Sequence, residues 1–282
     1  MALALRNSNF ESSAKAHVAP SADAEPRPLL EGLRLDYGPV SRIAEFLLKA
    51  DKAMADRVVT ICISSLSELV RVNSINRDTW GTFTPILDVR VAPLTAENSY
   101  CLTGLDRAGE VVVLQGGRLI DTGDITLQQM ADDQSIYYGR AHNPSDAEPR
   151  CLMSVPKANH LRGRLTYSGG LWVNPIYRGV GFSALMPRIS RLLALGRWDT
   201  NHTISFVTDS LAGSPVLKAY GYKNIEPRYS IQQNGVQTYS GSLVWMDTAA
   251  VIEDMESFLS TGFTEIDRAI SERSSKQVAA SA

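Results

Sequence analysis

The chain has 282 residues, of which 44% are hydrophobic, and this is enough to bury a sizeable core as one large domain or two small ones. Its formal net charge of −2 gives no bulk attraction to DNA, RNA or anionic lipid, so the sequence predicts no nucleic-acid partner. Cys62, Cys101 and Cys151 are odd in number and lie far apart, which argues against a disulfide framework or a metal site. With no secretory signal and no uncharged apolar run of about 18 residues, the expectation is a cytoplasmic protein without a membrane span.

The first predicted elements follow a flexible N-terminal arm, residues 1–28, which is rich in Ala, Ser and Pro. Pro39 opens a helical pattern over 39–57, and the β-branched run 58–64 is typical of a buried strand. Ser65 and Glu68 have the spacing of a capping box, which predicts a helix that ends at about Ile75. The alternating segments 98–106 and 110–117 then predict a hairpin.

A long insertion follows, from about residue 118 to 165, between the third and fourth predicted strands. It contains a short helical pattern at 124–133 and the polar stretch GRAHNPSDAEPR at 139–150. Loops of this length are usually disordered or functional. We therefore expect the insertion to cover an acceptor site rather than to belong to the core, with its polar stretch open to proteolysis.

The rest of the chain alternates again between strand and helix patterns. The predicted segments are strand 169–175, helix 180–195, strand 202–209, helix 214–220, strands 229–233 and 241–247, and helix 249–263. Residues 271–282 are predicted to be a flexible tail. The fold class expected is α/β, a mixed central sheet flanked by helices within one domain spanning 29–270.

A glycine turn, RGVGFS at 178–183, lies between the fourth strand and the following helix. A strand that ends in such a turn leaves backbone N–H groups unpaired at the start of a helix, which is the geometry of an anion cradle. Gly179 and Gly181 carry no Cβ, so a phosphate can approach the amides closely. The alternative explanation is a tight turn that holds no ligand.

The segments around this turn resemble the GNAT superfamily, the Gcn5-related N-acetyltransferases. LWVNPIYRGVGFSAL is similar to the family's fourth strand and third helix, and ISFVTDSLAGSPVLKAYGYKNIEP to its fifth strand, fourth helix and sixth strand. The resemblance covers about residues 55–247 and is specific between about 169 and 226.

The resemblance implies that acetyl-CoA or another acyl-CoA is the acyl donor, held in a V-shaped gap between the fourth and fifth strands. The N–H groups of 180–183 would hold its pyrophosphate, Arg178 would supply countercharge, and the edge of 171–173 would hydrogen-bond the pantetheine arm. The predicted cofactor-binding residues are Leu171, Trp172, Val173, Arg178, Gly179, Val180, Gly181, Phe182 and Ser183.

The chain departs from the family pattern at several positions. Leu217 stands where many members have the tyrosine that protonates the departing thiolate, and Tyr220, one turn away, is the catalytic candidate although a core role is favoured. Ser183 replaces a small Gly or Ala and is able to add a hydroxyl contact to phosphate. Pro187 lies in the second turn of the predicted helix and should kink it or tighten its start.

For most of the other candidate residues, the sequence favours a surface or packing role over a catalytic or metal-binding one. The four histidines have no partner spacing, so surface roles are favoured over metal ligation. Three acidic residues are candidate bases but are better explained as solvated strand-end charges, and the Trp80–Phe83 stretch is as well explained by core packing as by an acceptor pocket. These residues are His17, His142, His160, His202, Glu97, Glu110 and Asp209.

The function expected is transfer of an acetyl or other acyl group from acyl-CoA to a primary amine by direct attack. One alternative is a synthase that uses long-chain acyl-CoA or acyl carrier protein, as related N-acyl amino acid and acyl-homoserine-lactone synthases do. Another is a non-catalytic acyl-CoA-binding module. The acceptor, the acyl length and the oligomeric state, a homodimer included, stay open.

Overall fold

The computed structural model describes residues 26–281 apart from residues 83, 141 and 146, with side chains as far as residue 272. Most of the predicted N-terminal arm, including His17, therefore lies outside the described residues, as does Phe83. Within the described part, no helix combines the length and the apolar character needed to cross a bilayer.

The first half of the chain forms the elements that the sequence predicts, with small shifts at their ends. Ser65 caps its helix by accepting the N–H of Ser67, while Glu68 pairs with Arg71 rather than completing a capping box. The elements are β1 (Arg27–Pro28), α1 (Val40–Ala55), β2 (Thr60–Ser64), α2 (Leu66–Ile75), α3 (Arg77–Trp80), β3 (Ser99–Leu105) and β4 (Val111–Asp121).

The second half contains the remaining five strands of the described sheet and the helices between them. These are α4 (Leu127–Asp132), α5 (Ser135–Tyr138), β5 (Arg150–Met153), β6 (Arg164–Val173), α6 (Phe182–Trp198), β7 (His202–Thr208), α7 (Asp209–Ala212), α8 (Pro215–Tyr220), β8 (Asn224–Gln233) and β9 (Val236–Asp247). The helix α6 passes through Pro187 without a break. His202 begins β7, in agreement with the predicted strand 202–209.

One nine-stranded sheet runs through the described residues in the order β1-β2-β3-β4-β6-β7-β9-β8-β5. Every neighbouring pair is antiparallel except β6 and β7, which are parallel. The mixed sheet expected from the sequence is confirmed. Helices cover both faces, with one hydrophobic cluster that includes α2, α4 and α5 and another that includes α1, α6 and α9 (Thr248–Ser257).

The insertion is part of the core, which corrects the expectation of a separate cover. Its helices contribute fully buried side chains, among them Ile136 and Tyr137, and its strand β5 pairs with β8 at the far edge of the sheet. The hydroxyl groups of Tyr137 and Tyr229 lie 2.6 Å apart, which ties α5 to β8. The alternation that would have revealed β5 is only four residues long.

The C-terminal segment is helical where a flexible tail was expected. After α9 the chain makes a π-helical turn at Phe258–Gly262 and continues as α10 (Phe263–Ser281). At the other end, Arg27 and Pro28 belong to the sheet although the predicted arm included them. The division into an arm, one domain and a tail is otherwise a prediction.

Candidate functional site

A gap opens in the middle of the sheet, where the two parallel strands separate. β6 and β7 pair over only three residues each, from Leu165 opposite His202 to Tyr167 opposite Ile204. Beyond these pairs both strands continue, to Val173 and Thr208, without pairing to each other. The space between them is a cavity of about 300 Å³. It is the V-shaped gap that the resemblance implied, at the same pair of strands.

A bulge in β6 forms one wall of this gap. Gly116 of β4 is opposite Gly169 and Leu114 is opposite Trp172, so Gln115 alone faces two residues of β6. Gly170, one of those two, has φ +65°, a conformation that favours glycine. The bulge places Gly169, Gly170 and Leu171 along the gap.

The glycine turn lies directly beyond the end of β6. Gly179 and Gly181 have φ of 88° and 90°, and Gly181 is the N-cap of α6. The first helical hydrogen bonds run from Ala184 and Leu185 to the carbonyl of Gly181. The helix's own hydrogen bonds therefore do not use the N–H groups of Phe182 and Ser183, and the positive end of the helix dipole lies at the same point.

The reason for glycine at 181 differs from the one expected. A Cβ at this position would lie 2.5 Å from Cγ2 of Ile266 on α10, so the space that glycine leaves is filled by that helix and not by an open phosphate site. Arg57, after the end of α1, donates from Nε to the carbonyl of Val180 at 2.7 Å and from Nη2 to Asp267 at 2.8 Å. Because a peptide is planar and trans, this fixes the N–H of Gly181 on the side away from Arg57.

The other predicted cofactor-binding residues lie at the same end of β6, with differing roles. Leu171 lines the gap. Trp172 is 3% exposed, stacks on Trp80 and donates to the hydroxyl of Thr79 at 3.1 Å, so its side chain belongs to the core. The exposed guanidinium of Arg178 donates to the carbonyls of Val173 and Thr79 at 3.3 and 3.1 Å, which closes the strand end against α3.

Tyr220, the catalytic candidate, lines the gap, whereas Leu217 is buried in a separate small cluster. Burial raises the pKa of Tyr220 to about 12. Tyr222 also lines the gap, and its buried hydroxyl lies near those of Ser168 and Thr203 without a hydrogen bond of good geometry to either. Burial raises the pKa of Tyr222 as well, although the nearby Arg191 guanidinium opposes this. Both phenols therefore keep their protons at neutral pH.

Two buried arginines of α6 hold the segment that carries these tyrosines. Arg188 donates to the carbonyl of Ala219 and Arg191 to that of Tyr220, each at 2.8 Å. Both also form ion pairs with Asp254 of α9. The end of α8 is thereby fixed against α6 and α9.

The remaining candidates lie away from the gap. His142 pairs with Glu148, and neither His160 nor His202 lines it. The carbonyl of Glu97 accepts from Trp198, and Glu110 lies in the exposed β3–β4 turn, so neither is placed to act as a base. Within the described residues, no group of three His, Cys, Asp or Glu has the arrangement of a metal site.

A second, larger cavity of about 690 Å³ lies beside the gap, between the insertion and β8. Asp209 lines it and hydrogen-bonds Ser240. Tyr229 lines both cavities. The charged residues around the larger one are Asp132, Arg150, Asp209 and Arg228.

Several residues of the site were missed from the sequence. Gln115 lines the gap at 2% exposure, and its only sequence signal is a single amide in the apolar run VVVLQ. Thr84 lines it from the loop after α3, and no local pattern marks it. Arg57 reaches the glycine turn from 123 residues away.

Comparison with known proteins finds no matching family model and no matching curated protein. Similar solved structures include Arabidopsis thaliana NAA60 with a bisubstrate analogue, at 16% identity and TM-score 0.40, covering 67% of this chain and 98% of that one. The structure of AAC(6')-Ib with paromomycin and acetyl-CoA has 12% identity and TM-score 0.38, covering 68% and 95%.

A third similar structure is an acetyltransferase from Streptococcus pneumoniae, at 11% identity and TM-score 0.36, covering 67% of this chain and 99% of that one. At such scores the function has to be argued from the chain's own geometry. The third structure is described as an acetyltransferase of the GNAT family.

Proposed function

We propose that the chain is an acyl-CoA-dependent N-acyltransferase that passes an acetyl or other short acyl group to a primary amine by direct attack. The observation that carries the proposal is the position of the glycine turn at the end of β6, the strand that walls the gap. A donor laid along the edge of β6 would place its pyrophosphate at the N-terminus of α6 and its thioester in the gap.

The unpaired edge of β6 supports the donor's place. Beyond Tyr167 this edge no longer pairs with β7, so backbone groups of 168–173 face the gap. The pantetheine arm carries two amides, which are suited to hydrogen-bond such an edge as an added strand would. Leu171 lines the gap at this level and offers apolar contact.

The phenols in the gap suit the departing coenzyme. When the amine attacks the thioester carbonyl and the C–S bond breaks, the sulfur leaves as a thiolate and needs a proton. Tyr220 and Tyr222 are protonated at neutral pH, because burial raises both pKa values, and both line the gap. We take Tyr222 as the stronger candidate, since its hydroxyl has no well-formed hydrogen bond to break and a guanidinium lies nearby.

Cavity size and lining favour a short acyl group over a long chain. About 300 Å³ is at the lower end of ligand pockets. The larger neighbouring cavity is lined by four charged side chains. An alkyl chain bound there would remove water from these charges, which costs free energy. The long-chain and carrier-protein alternative is therefore the weaker one.

Donor binding is the first test. Acetyl-CoA at about 100 times its dissociation constant should stabilise the fold by about 2.7 kcal/mol, measured as a rise in unfolding midpoint, and desulfo-CoA should do nearly as well. A folded sample that shifts with neither compound would remove the basis of the proposal. Binding without turnover over a broad amine panel would instead support the non-catalytic module.

Ser183→Asp locates the phosphate site, with Ser183→Asn as the neutral control of the same size. Ser183 is the second residue of α6, so a carboxylate there should leave the stability unchanged or raise it slightly. Repulsion of a phosphate about 5 Å away amounts to roughly 1–3 kcal/mol, so donor affinity should fall about 10- to 100-fold in Ser183→Asp only. Equal affinity in both variants, measured by calorimetry, would place the pyrophosphate elsewhere.

A further inference from the structure

The lining of the gap contains no carboxylate, imidazole, ammonium or guanidinium among the described residues. Its only ionisable groups are five tyrosines, at positions 167, 220, 222, 229 and 239. Burial raises the pKa of each of them. At neutral pH they hold their protons, so the gap offers no free base that could deprotonate an ammonium group before it attacks.

One buried side chain in the gap presents an acceptor with no partner. Gln115 is 2% exposed, and its Oε1 has no hydrogen bond within the described structure, while its Nε2 donates to Oγ of Ser168 at 2.8 Å. An unpaired buried amide oxygen costs free energy unless a ligand or water supplies a donor. A ligand N–H is such a donor.

The hydrogen-bond network fixes which way this amide points. The hydroxyl of Tyr100 donates to the carbonyl of Ser190 at 2.6 Å, so at the 3.1 Å contact between the two hydroxyl groups Ser190 has to donate. Ser168 in turn donates to Oγ of Ser190 at 2.9 Å. Ser168 has then used its only proton and must accept from Gln115. The NH₂ group is therefore on the Ser168 side, and Oε1 is left free.

We infer that the acceptor of this site is a weakly basic amine, such as an α-amino group or an aromatic amine, which enters in its neutral form and donates an N–H to Oε1 of Gln115. This rests on the acyltransferase function proposed above. Nitrogen forms the new bond to the acyl carbon as the C–S bond breaks. As sulfur leaves, a gap phenol gives it a proton and regains one from nitrogen, which becomes acidic once it is bonded to the acyl carbon, so the transfer balances without a separate base.

The consequence for substrate choice follows from the neutral fraction of each amine. At pH 7 about one in 2,500 molecules of a lysine-like amine is neutral, against roughly one in eight for an α-amine. A gap without a base cannot offset this difference of about 300-fold. Thr84 adds a second buried hydroxyl without a partner to the lining of the gap, suited to the acceptor's other polar atoms.

The test uses the full chain with acetyl-CoA and amines of similar size whose own pKa values run from about 5 to about 10.5. We expect the acid limb of the kcat/KM profile to follow the pKa of each amine. Weakly basic amines should be favoured at least 100-fold at pH 7. A limb that stays at one pH for every acceptor, or a preference for alkylamines, would overturn the inference.

Gln115→Glu and its uncharged control Gln115→Met probe the residue itself. The carboxylate of Gln115→Glu should shift the preference towards basic amines at least tenfold, whereas Gln115→Met should lower kcat/KM about 10- to 100-fold for every amine. Neither should change acetyl-CoA affinity by more than about twofold, because the pyrophosphate and pantetheine contacts proposed above do not use the Gln115 side chain. Unchanged preference in Gln115→Glu would contradict the assignment.

A measurement of acetyl-CoA binding shows whether the proposed function or only the proposed acceptor class is wrong. Loss of acetyl-CoA binding by the wild-type protein would refute the proposed function, whereas intact binding with alkylamine preference would refute only the acceptor class. If the Gln115 variants fail to fold, Thr84→Val serves instead. It should lower kcat/KM for weakly basic amines at least fivefold with donor affinity intact, and an unchanged kcat/KM would count against the gap as the acceptor site.

Discussion

Asp254→Asn should destabilise the protein strongly, because Asp254 is the counter-ion of two buried cations. The side chains of Arg188 and Arg191 are 9% and 1% exposed, and Asp254 itself is 12% exposed. The remaining contacts of their terminal nitrogens are with backbone carbonyls, including those of Ala219 and Tyr220. Asparagine keeps the shape of the side chain and removes its charge.

The expected loss is about 3–5 kcal/mol, the usual cost of breaking a buried ion pair by removing one partner. The lower figure is the better one here, since water reaches the edge of the Asp254 side chain. For a chain of this size 1 kcal/mol corresponds to roughly 2–4 °C, so the unfolding midpoint should fall by about 6–12 °C. Urea unfolding followed by circular dichroism measures the free energy directly.

A matched control lies one residue away. Glu253 pairs with Lys223, and the two side chains are 72% and 46% exposed, so Glu253→Gln should cost less than about 1 kcal/mol. If Asp254→Asn also lost less than this, the two arginines would have to be solvated or compensated in a way that the structure does not provide. The reasoning about buried charge would then be refuted.

Three further outcomes follow from the geometry. Gly181→Ala should destabilise the fold by more than about 1 kcal/mol in urea unfolding, because its φ is 90° and its Cβ would meet α10. Burial raises the pKa of the Cys101 and Cys151 thiols to about 12, so Ellman's reagent at pH 8 should leave both unmodified until urea is added. Burial raises the pKa of Tyr220 to about 12, so its stabilising contribution is complete below the ordinary tyrosine value near 10. That contribution is lost as pH rises from about 10 to 12, so Tyr220→Phe should lose less stability over this range, as followed by circular dichroism. The same variant should lower turnover less than tenfold. A hundredfold loss of turnover would instead make Tyr220 the acid.

The local sequence pattern was sufficient to predict much of the sheet and the position of the glycine turn. The apolar period over 39–57 gave α1, alternation gave the β3–β4 hairpin, and the two glycines marked the start of α6. It failed where a partner lies far away in the chain. β5 is a strand only because β8 pairs with it some 80 residues later, and RCLM carries no signal of its own.

In the candidate site, too, local features were predictable and those that depend on distant parts of the chain were not. The turn between β6 and α6 was predictable, because Gly179 and Gly181 adopt positive φ angles that favour glycine. The side chains that line the gap were not, because Gln115, Tyr222 and Thr84 come from three separate segments that meet only in the folded sheet. The sequence predicted that Gly181 leaves space for a phosphate, whereas the space is occupied by Ile266, which lies 85 positions further along the chain and could not be anticipated from local pattern.

The short parallel pairing between β6 and β7 has a consequence for how the molecule opens. It is the seam between a five-stranded half, β1-β2-β3-β4-β6, and a four-stranded half, β7-β9-β8-β5. Amides at such a seam should exchange with solvent by local opening, well before either half unfolds as a cooperative unit. A ligand that bonds to both walls would raise the free energy of that opening, so substrate should couple the two halves into one cooperative unit.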